Sequence, residues 1–136
     1  MTKAETVLSW GLQVLVAGIL FQTLFFKFTA AEESVYIFST LGVEPWGRIA
    51  SGVVELMAVA LILYPSTAVV GALLSLAVIS GALGSHMILG VSIKGDGGLL
   101  FLLAVIVFLS SASVAYLRRS EIPLVGALAV RAAAQR

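Results

Sequence analysis

Cysteine is absent from this chain, and histidine occurs once, at His86. The first absence excludes disulfides, thiolate metal sites, CxxC redox chemistry and cysteine-held iron–sulfur clusters within the chain. The lone histidine excludes a bis-histidine haem held by one copy. Charge is scarce too: 8 basic and 7 acidic residues make up 11% of 136, against about 25% in a soluble domain. So few charges do not cover the surface of a soluble globule of this size, whereas walls facing lipid need none. The net charge of +1 forms no basic stripe, so nucleic acid is not an expected partner. No nucleophile–base set, metal-ligand motif or nucleotide fingerprint appears, which leaves the chain without a catalytic signature.

What the chain has in abundance is apolar sequence. Hydrophobic residues make up 60% and the mean hydropathy is +1.12. The expectation is an all-α integral membrane protein: one transmembrane four-helix bundle over residues 1–136, with spans near 7–26, 46–64, 67–90 and 98–117. Each run is long enough to cross about 30 Å of hydrocarbon as a helix. The alternation of a β-barrel strand is missing from all of them. The first run, Val7–Phe26, is longer than the apolar core of a secretory signal and reads as a retained span. "LYPST" between spans two and three is a tight turn, with Pro65 stopping one helix and Ser66 or Thr67 capping the next.

With both ends on one side, that side holds Lys3, Arg118, Arg119, Arg131 and Arg136, and the other holds Lys27, Arg48 and Lys94. The positive-inside rule then puts both termini in the cytoplasm of a cell-membrane protein, with residues 118–136 as a short cytoplasmic tail. That tail, with Pro123, Leu124, Leu128 and Arg131, reads as either a short surface helix or an unstructured end.

The connection from Lys27 to Arg48 is too long for a simple turn. Thr29-x-x-Glu32 has the form of a capping box, Val35, Phe38 and Leu41 recur at helical spacing, and Gly42 suits a helix end. A short interfacial helix between spans one and two is expected, lying as a lid over the bundle. Pro45 suits the first turn of span two, and Trp46 the headgroup belt. "IKGDGG", residues 93–98, lacks Walker spacing and a preceding strand, so it reads as a flexible turn in which Asp96 caps span four. Small residues at Ala77, Gly81 and Ser85, at Gly71 and Ser75, and at Gly11 and Gly18 predict close helix packing.

Against this background Glu55 is conspicuous within "SGVVELMAVALILYP". An ionised carboxylate is costly to remove from water and, at membrane depth, is a functional hypothesis by default. Arg48, Ser51 or Gly52, and Glu55 share one stripe of span two, with Glu55 on the order of 10 Å below Arg48. Topology brings Lys27 at the end of span one and His86 near the end of span three to the same level. Lys27, Arg48, Glu55 and His86 are therefore the candidate ligand-binding residues. They suit a polar pocket for the head of a lipophilic molecule such as a quinone, whose carbonyls take donors from Lys27 and His86 while Glu55 relays protons. The plainer reading is that Lys27 snorkels, His86 is interfacial and Glu55 joins two helices. A metal site built on one histidine and no cysteine is not expected.

"FFKF" with Lys27, "GRIASGVVELMAVALILYP" with Glu55 and "SGALGSHMILG" with His86 resemble the DoxX and DoxX-like membrane proteins over roughly Val7 to Leu117. The resemblance implies a four-span bundle with a short polar connection after span one, and Lys27, Glu55 and His86 as a functional triplet. It also implies association with a membrane redox complex, since that family is named after a subunit linked to quinol oxidation. The absence of cysteine sets this chain apart from thiol-based sulfur chemistry. Two functions follow as expectations: a small membrane subunit binding a quinone-like or other lipophilic ligand, or a non-catalytic assembly subunit docking partner membrane proteins or further copies of itself through small-residue faces.

Overall fold

A computed structural model describes residues 1–122, 128 and 131–135. Four long helices make the fold: α1 (Lys3–Phe28), α3 (Trp46–Leu63), α4 (Ala68–Leu89) and α5 (Leu99–Leu117), with a short α2 (Glu32–Thr40) between the first two. Among the described residues there is no strand. Each long helix packs on two others, closing a ring in the order α1, α3, α4, α5. All four are long and apolar enough to cross a membrane. The bundle is all-α, as the hydropathy pattern predicts. Residues 123–127, 129, 130 and 136 lie outside the described residues, Pro123 and Leu124 of the tail reading among them, while Leu128 and residues 131–134 are helical.

Helical periodicity decides which side chains turn inward. On α1 the buried residues are Ser9, Gln13, Val16, Ala17, Leu20 and Leu24. On α3 they are Arg48, Gly52, Glu55, Ala58, Val59 and Ile62. Steps of three and four residues put each set on one stripe. The middle of the bundle is apolar, centred on Leu20, Ala58, Ile62, Ala72 and Val107. Its outer surface is apolar as well, with Val7, Val14, Phe21, Phe25, Leu102 and Leu109 all exposed. The buried charged side chains instead lie toward the two ends, while Ser75, Ser110 and Ser111 are buried within α4 and α5.

Close approach explains one glycine pair. A Cβ at Gly71 would stand 2.3 Å from the Ile62 backbone nitrogen, and one at Gly52 would stand 2.9 Å from the Phe28 ring. Gly71 thus sets the α3–α4 contact, and the Ser75 hydroxyl folds back onto the Gly71 carbonyl at 2.8 Å. The other small residues behave differently from expectation. Gly11, Gly18 and Gly81 have no atom within 4 Å of an added Cβ, and Ala77 and Gly81 are exposed. Those faces look outward, because the ring closes through Gly71, Ser75 and Ile79.

Three capping expectations need correction. The Thr29 hydroxyl donates to Phe25 O at 2.6 Å and finishes α1, the back-bonding that competes with an N-cap role. Ala30 turns the chain at φ +54°, and α2 begins after Ala31 with no side-chain cap. Thr67 occupies the cap position of α4, but its hydroxyl donates back to Leu61 O at 2.8 Å, satisfying the end of α3 instead. Pro45 stands at the cap position of α3, one residue before its first turn. The true capping box is Thr2 with Glu5 at the start of α1, a pattern visible in the sequence as Thr2-x-x-Glu5. Gly42, at φ +78°, does end α2. The Val43 amide donates to Phe38 O at 2.9 Å and the Gly42 amide to Ser39 O at 3.0 Å, the Schellman pairing that a left-handed glycine permits.

Candidate functional site

The inward stripe of α3 carries its polar residues toward the end where α1 finishes. Glu55 is 2% exposed, and both its oxygens are met from α1. Oε1 pairs with the Lys27 ammonium. Oε2 lies 3.1 Å from the Thr23 hydroxyl, which also lies 2.8 Å from Leu20 O, so one proton serves the carboxylate or the backbone. Lys27 Nζ donates in addition to Ser51 Oγ at 2.9 Å. Its remaining face lies toward the Phe38 ring of α2, 5.8 Å from the centroid, a cation–π distance. The ammonium therefore sits between a carboxylate on α3 and an aromatic ring on α2.

Arg48 stands one layer above. Its Nε donates to Glu44 at 2.8 and 3.1 Å, and Nη1 donates to the Lys27 carbonyl. A cation bonded to the last carbonyls of a helix is favoured by the helix dipole. Arg48 thus holds the end of α1 onto the start of α3, and with it the Lys27 side chain over Glu55.

His86 belongs elsewhere. Its Nδ1 lies 3.1 Å from Gly90 O; a carbonyl only accepts, so that nitrogen carries the proton. The ring meets Phe101 edge-on at 5.5 Å. Among the described residues, no hydrogen bond or ion pair joins His86 to Glu55 or Lys27. The convergence expected of three helices is, in contact terms, a meeting of two. The carbonyl at the α4 terminus satisfies the imidazole first.

The loop after His86 is organised by Asp96. Its Oδ1 accepts from the Ile93 and Gly98 amides at 3.0 and 2.8 Å, and Oδ2 from Leu100 at 3.3 Å. Asp96 thus serves the first turn of α5 from two residues before the formal cap, Gly98. Burial raises its pKa, but the Gly98, Ile93 and Leu100 amides, with the nearby His86, outweigh that and hold the carboxyl below its ordinary value. From the same loop, Lys94 reaches α2: Nζ donates to Glu32 Oε1 at 2.6 Å and lies 5.5 Å from the Tyr36 ring. The hydrogen bond from Lys94, then its charge, lowers the Glu32 pKa. Through this tie α2 is held across the end of the bundle above Lys27.

A second polar cluster, at the opposite end, escapes the sequence reading. Arg118, at the end of α5, is 5% exposed. Its Nε lies 2.9 Å from Ser9 Oγ and 3.2 Å from Gln13 Oε1. Ser9 donates to Gln13 Oε1 at 2.7 Å, and Gln13 Nε2 to the Ile62 carbonyl at 2.8 Å. Three helices are joined there. The signal was available: Ser9 and Gln13 lie at i and i+4 on the same stripe as Val16, Leu20 and Leu24. Two surface grooves also lie at this end, and neither is lined by Lys27, Arg48, Glu55 or His86.

Comparison with family models, with curated proteins and with solved structures finds no match to the chain. Among the described residues, no group of three His, Cys, Asp or Glu side chains is placed to hold a metal ion. The arrangement in hand is a satisfied, desolvated ion pair with one ammonium face toward an aromatic ring.

Removing one partner leaves the other charge buried, so Lys27→Met is expected to cost about 3–5 kcal/mol. Replacing both with apolar residues, Lys27→Met with Glu55→Leu, is expected to restore most of that stability. Thermal and denaturant unfolding measure both. A single variant as stable as the parent, or a double variant no better than the single, contradicts the pairing.

Proposed function

We propose that the chain is a multi-pass cell-membrane protein, crossing four times with both termini cytoplasmic, and that its Lys27–Glu55 pair receives the polar head of a lipophilic, quinone-like ligand beneath α2. Four apolar helices within an apolar outer surface support the membrane reading. Ser9 against Arg118 brings the start of α1 and the end of α5 to one end of the bundle. That agrees with a shared side for the termini, and the excess of Lys and Arg there favours the cytoplasm.

The observation that carries the ligand reading is the buried Lys27–Glu55 pair itself. Well-packed apolar residues generally serve stability as well as a buried ion pair does, so stability alone does not account for it. Two of the ammonium's three donors go to Glu55 and Ser51. The third has the Phe38 face beside it. A carbonyl on a flat ring suits that slot: the oxygen accepts from Lys27 while the ring stacks on Phe38, and Glu55 stands ready to exchange a proton with the ammonium. Entry requires α2 to swing aside, releasing the Lys94 tie to Glu32 and Tyr36. His86 acts in this reading through the loop that carries Lys94 and not by touching the ligand. Arg48 positions Lys27. The resemblance to DoxX-like proteins adds a place beside a membrane redox complex as part of the same proposal.

One observation favours the second reading, an assembly subunit. On α4, Ala77, Ser80, Gly81 and Gly84 are all exposed, a small-residue face of the kind that lets another helix approach closely.

Since the chain has no cysteine, an introduced one is a unique label. Glu33→Cys is expected to react with an impermeant maleimide in intact cells, and Ser120→Cys only after lysis. The reverse pattern overturns the orientation. For the ligand, a short-tailed benzoquinone is titrated into the protein in lipid nanodiscs. Saturable binding is expected, weakened at least roughly tenfold in the folded Lys27→Met/Glu55→Leu variant, the value of one charge-assisted hydrogen bond. Equal binding by that variant refutes the site. Absent quinone binding, with partner subunits lost only on Gly81→Leu, supports the assembly reading instead.

A further inference from the structure

The end of the bundle away from Lys27 carries two grooves that run into one another. The first, about 400 Å³, lies between Leu8 of α1 and Ala112, Ser113, Tyr116 and Leu117 of α5. The second, about 270 Å³, shares Tyr116 and Leu117 and adds Met1, Glu5, Arg119 and Ser120. One is walled mainly by carbon and the other opens among charges, the outline of an amphiphile with its chain along the helices and its head at the rim.

The charges at the rim are of both signs and do not neutralise each other. Glu5 Oε2 accepts from the Thr2 amide at 3.1 Å; among the described residues Oε1 makes no hydrogen bond. Among the described residues, Arg119 has two contacts, both with Tyr116. Its guanidinium carbon lies 4.3 Å from the Tyr116 ring centroid, and Nη1 donates to Tyr116 O at 2.8 Å. Among the described residues the rest of that fork is unpaired, and no ion pair joins Arg119 to Glu5. A fork that prefers phosphate, lining the same groove as a carboxylate from the neighbouring helix, calls for a ligand carrying both an anion and a cation.

We propose that this double groove binds a phospholipid with a primary ammonium headgroup, a phosphatidylethanolamine. Its phosphodiester oxygens accept from Arg119 and the Ser120 hydroxyl, its ammonium donates to Glu5, and one acyl chain lies along Leu8, Ala112 and Leu117. A choline headgroup has no N–H for Glu5, and a glycerol headgroup has no cation. Discrimination therefore rests on Glu5 and affinity on Arg119. Tyr116, 65% exposed, sits at the junction with its ring under the guanidinium. This inference rests on the membrane-spanning reading and is independent of the quinone site.

The test reconstitutes the full chain into vesicles of equal parts phosphatidylethanolamine, phosphatidylcholine and phosphatidylglycerol, then counts retained lipids by native mass spectrometry. One phosphatidylethanolamine is expected to persist, favoured roughly tenfold over phosphatidylcholine. Glu5→Gln preserves the capping box, since glutamine also serves at that position, and is expected to abolish the preference while leaving a lipid bound. Arg119→Ala is expected to release all three. Equal retention by the parent chain, an unchanged preference in Glu5→Gln, or a lipid-free dimer closed over the groove each overturns the proposal. A protein that fails to float with the vesicles overturns the membrane reading as well; floating, folded protein without a preference overturns the lipid site alone.

Discussion

The ion pair between Lys27 and Glu55 is the constraint on which the arrangement at its end of the bundle depends. Neither charge is tolerable there alone, so α1 and α3 are held in one register: Lys27 must face the stripe that carries Glu55. Arg48 then finds the terminal carbonyl of Lys27 within reach and closes the end of α1. With α1 ended there, the chain has to turn at Ala30, and α2 crosses above the ammonium with Phe38 beside it. Lid, turn and layered cations follow from the need to satisfy one carboxylate.

The opposite end repeats the principle with different chemistry. Arg118 is buried against uncharged Ser9 and Gln13, and among the described residues its carboxylate partner is the half-exposed Glu121. Between these polar ends lies a largely apolar middle in which, among the described residues, Ser111 alone keeps a buried side-chain oxygen without a partner. An apolar exterior, an apolar centre and polar ends are what a bundle must show if its walls meet lipid and its ends meet water.

Much of the fold was readable from hydropathy, and the reasons are physical. Runs of about 20 apolar residues have few ways to satisfy their backbone other than as helices, and α3, α4 and α5 begin and end within one residue of the expected bounds. The Lys27–Glu55 meeting was readable because the alternating direction of successive helices and a helical stripe constrain it. That His86 makes no hydrogen bond to the pair, among the described residues, was not readable because depth and topology do not say which way an imidazole turns, and a carbonyl four residues on captured it. Thr29 and Thr67 misled because a hydroxyl serves a preceding carbonyl as readily as a following amide. Gly81 misled because small residues permit close approach without requiring it, and here the α4 contact runs through Gly71 instead. Arg118 was passed over because residues at a helix end are counted for orientation before they are considered as buried partners.

The account is tested most directly by solid-state NMR of labelled protein in lipid bilayers, measuring the dipolar coupling between the Lys27 side-chain nitrogen and the Glu55 carboxylate carbon. Direct contact predicts a strong coupling that vanishes in Lys27→Met while the helix signals persist. A Glu55 carboxylate with no lysine nitrogen beside it, in an intact bundle, contradicts the account at its centre.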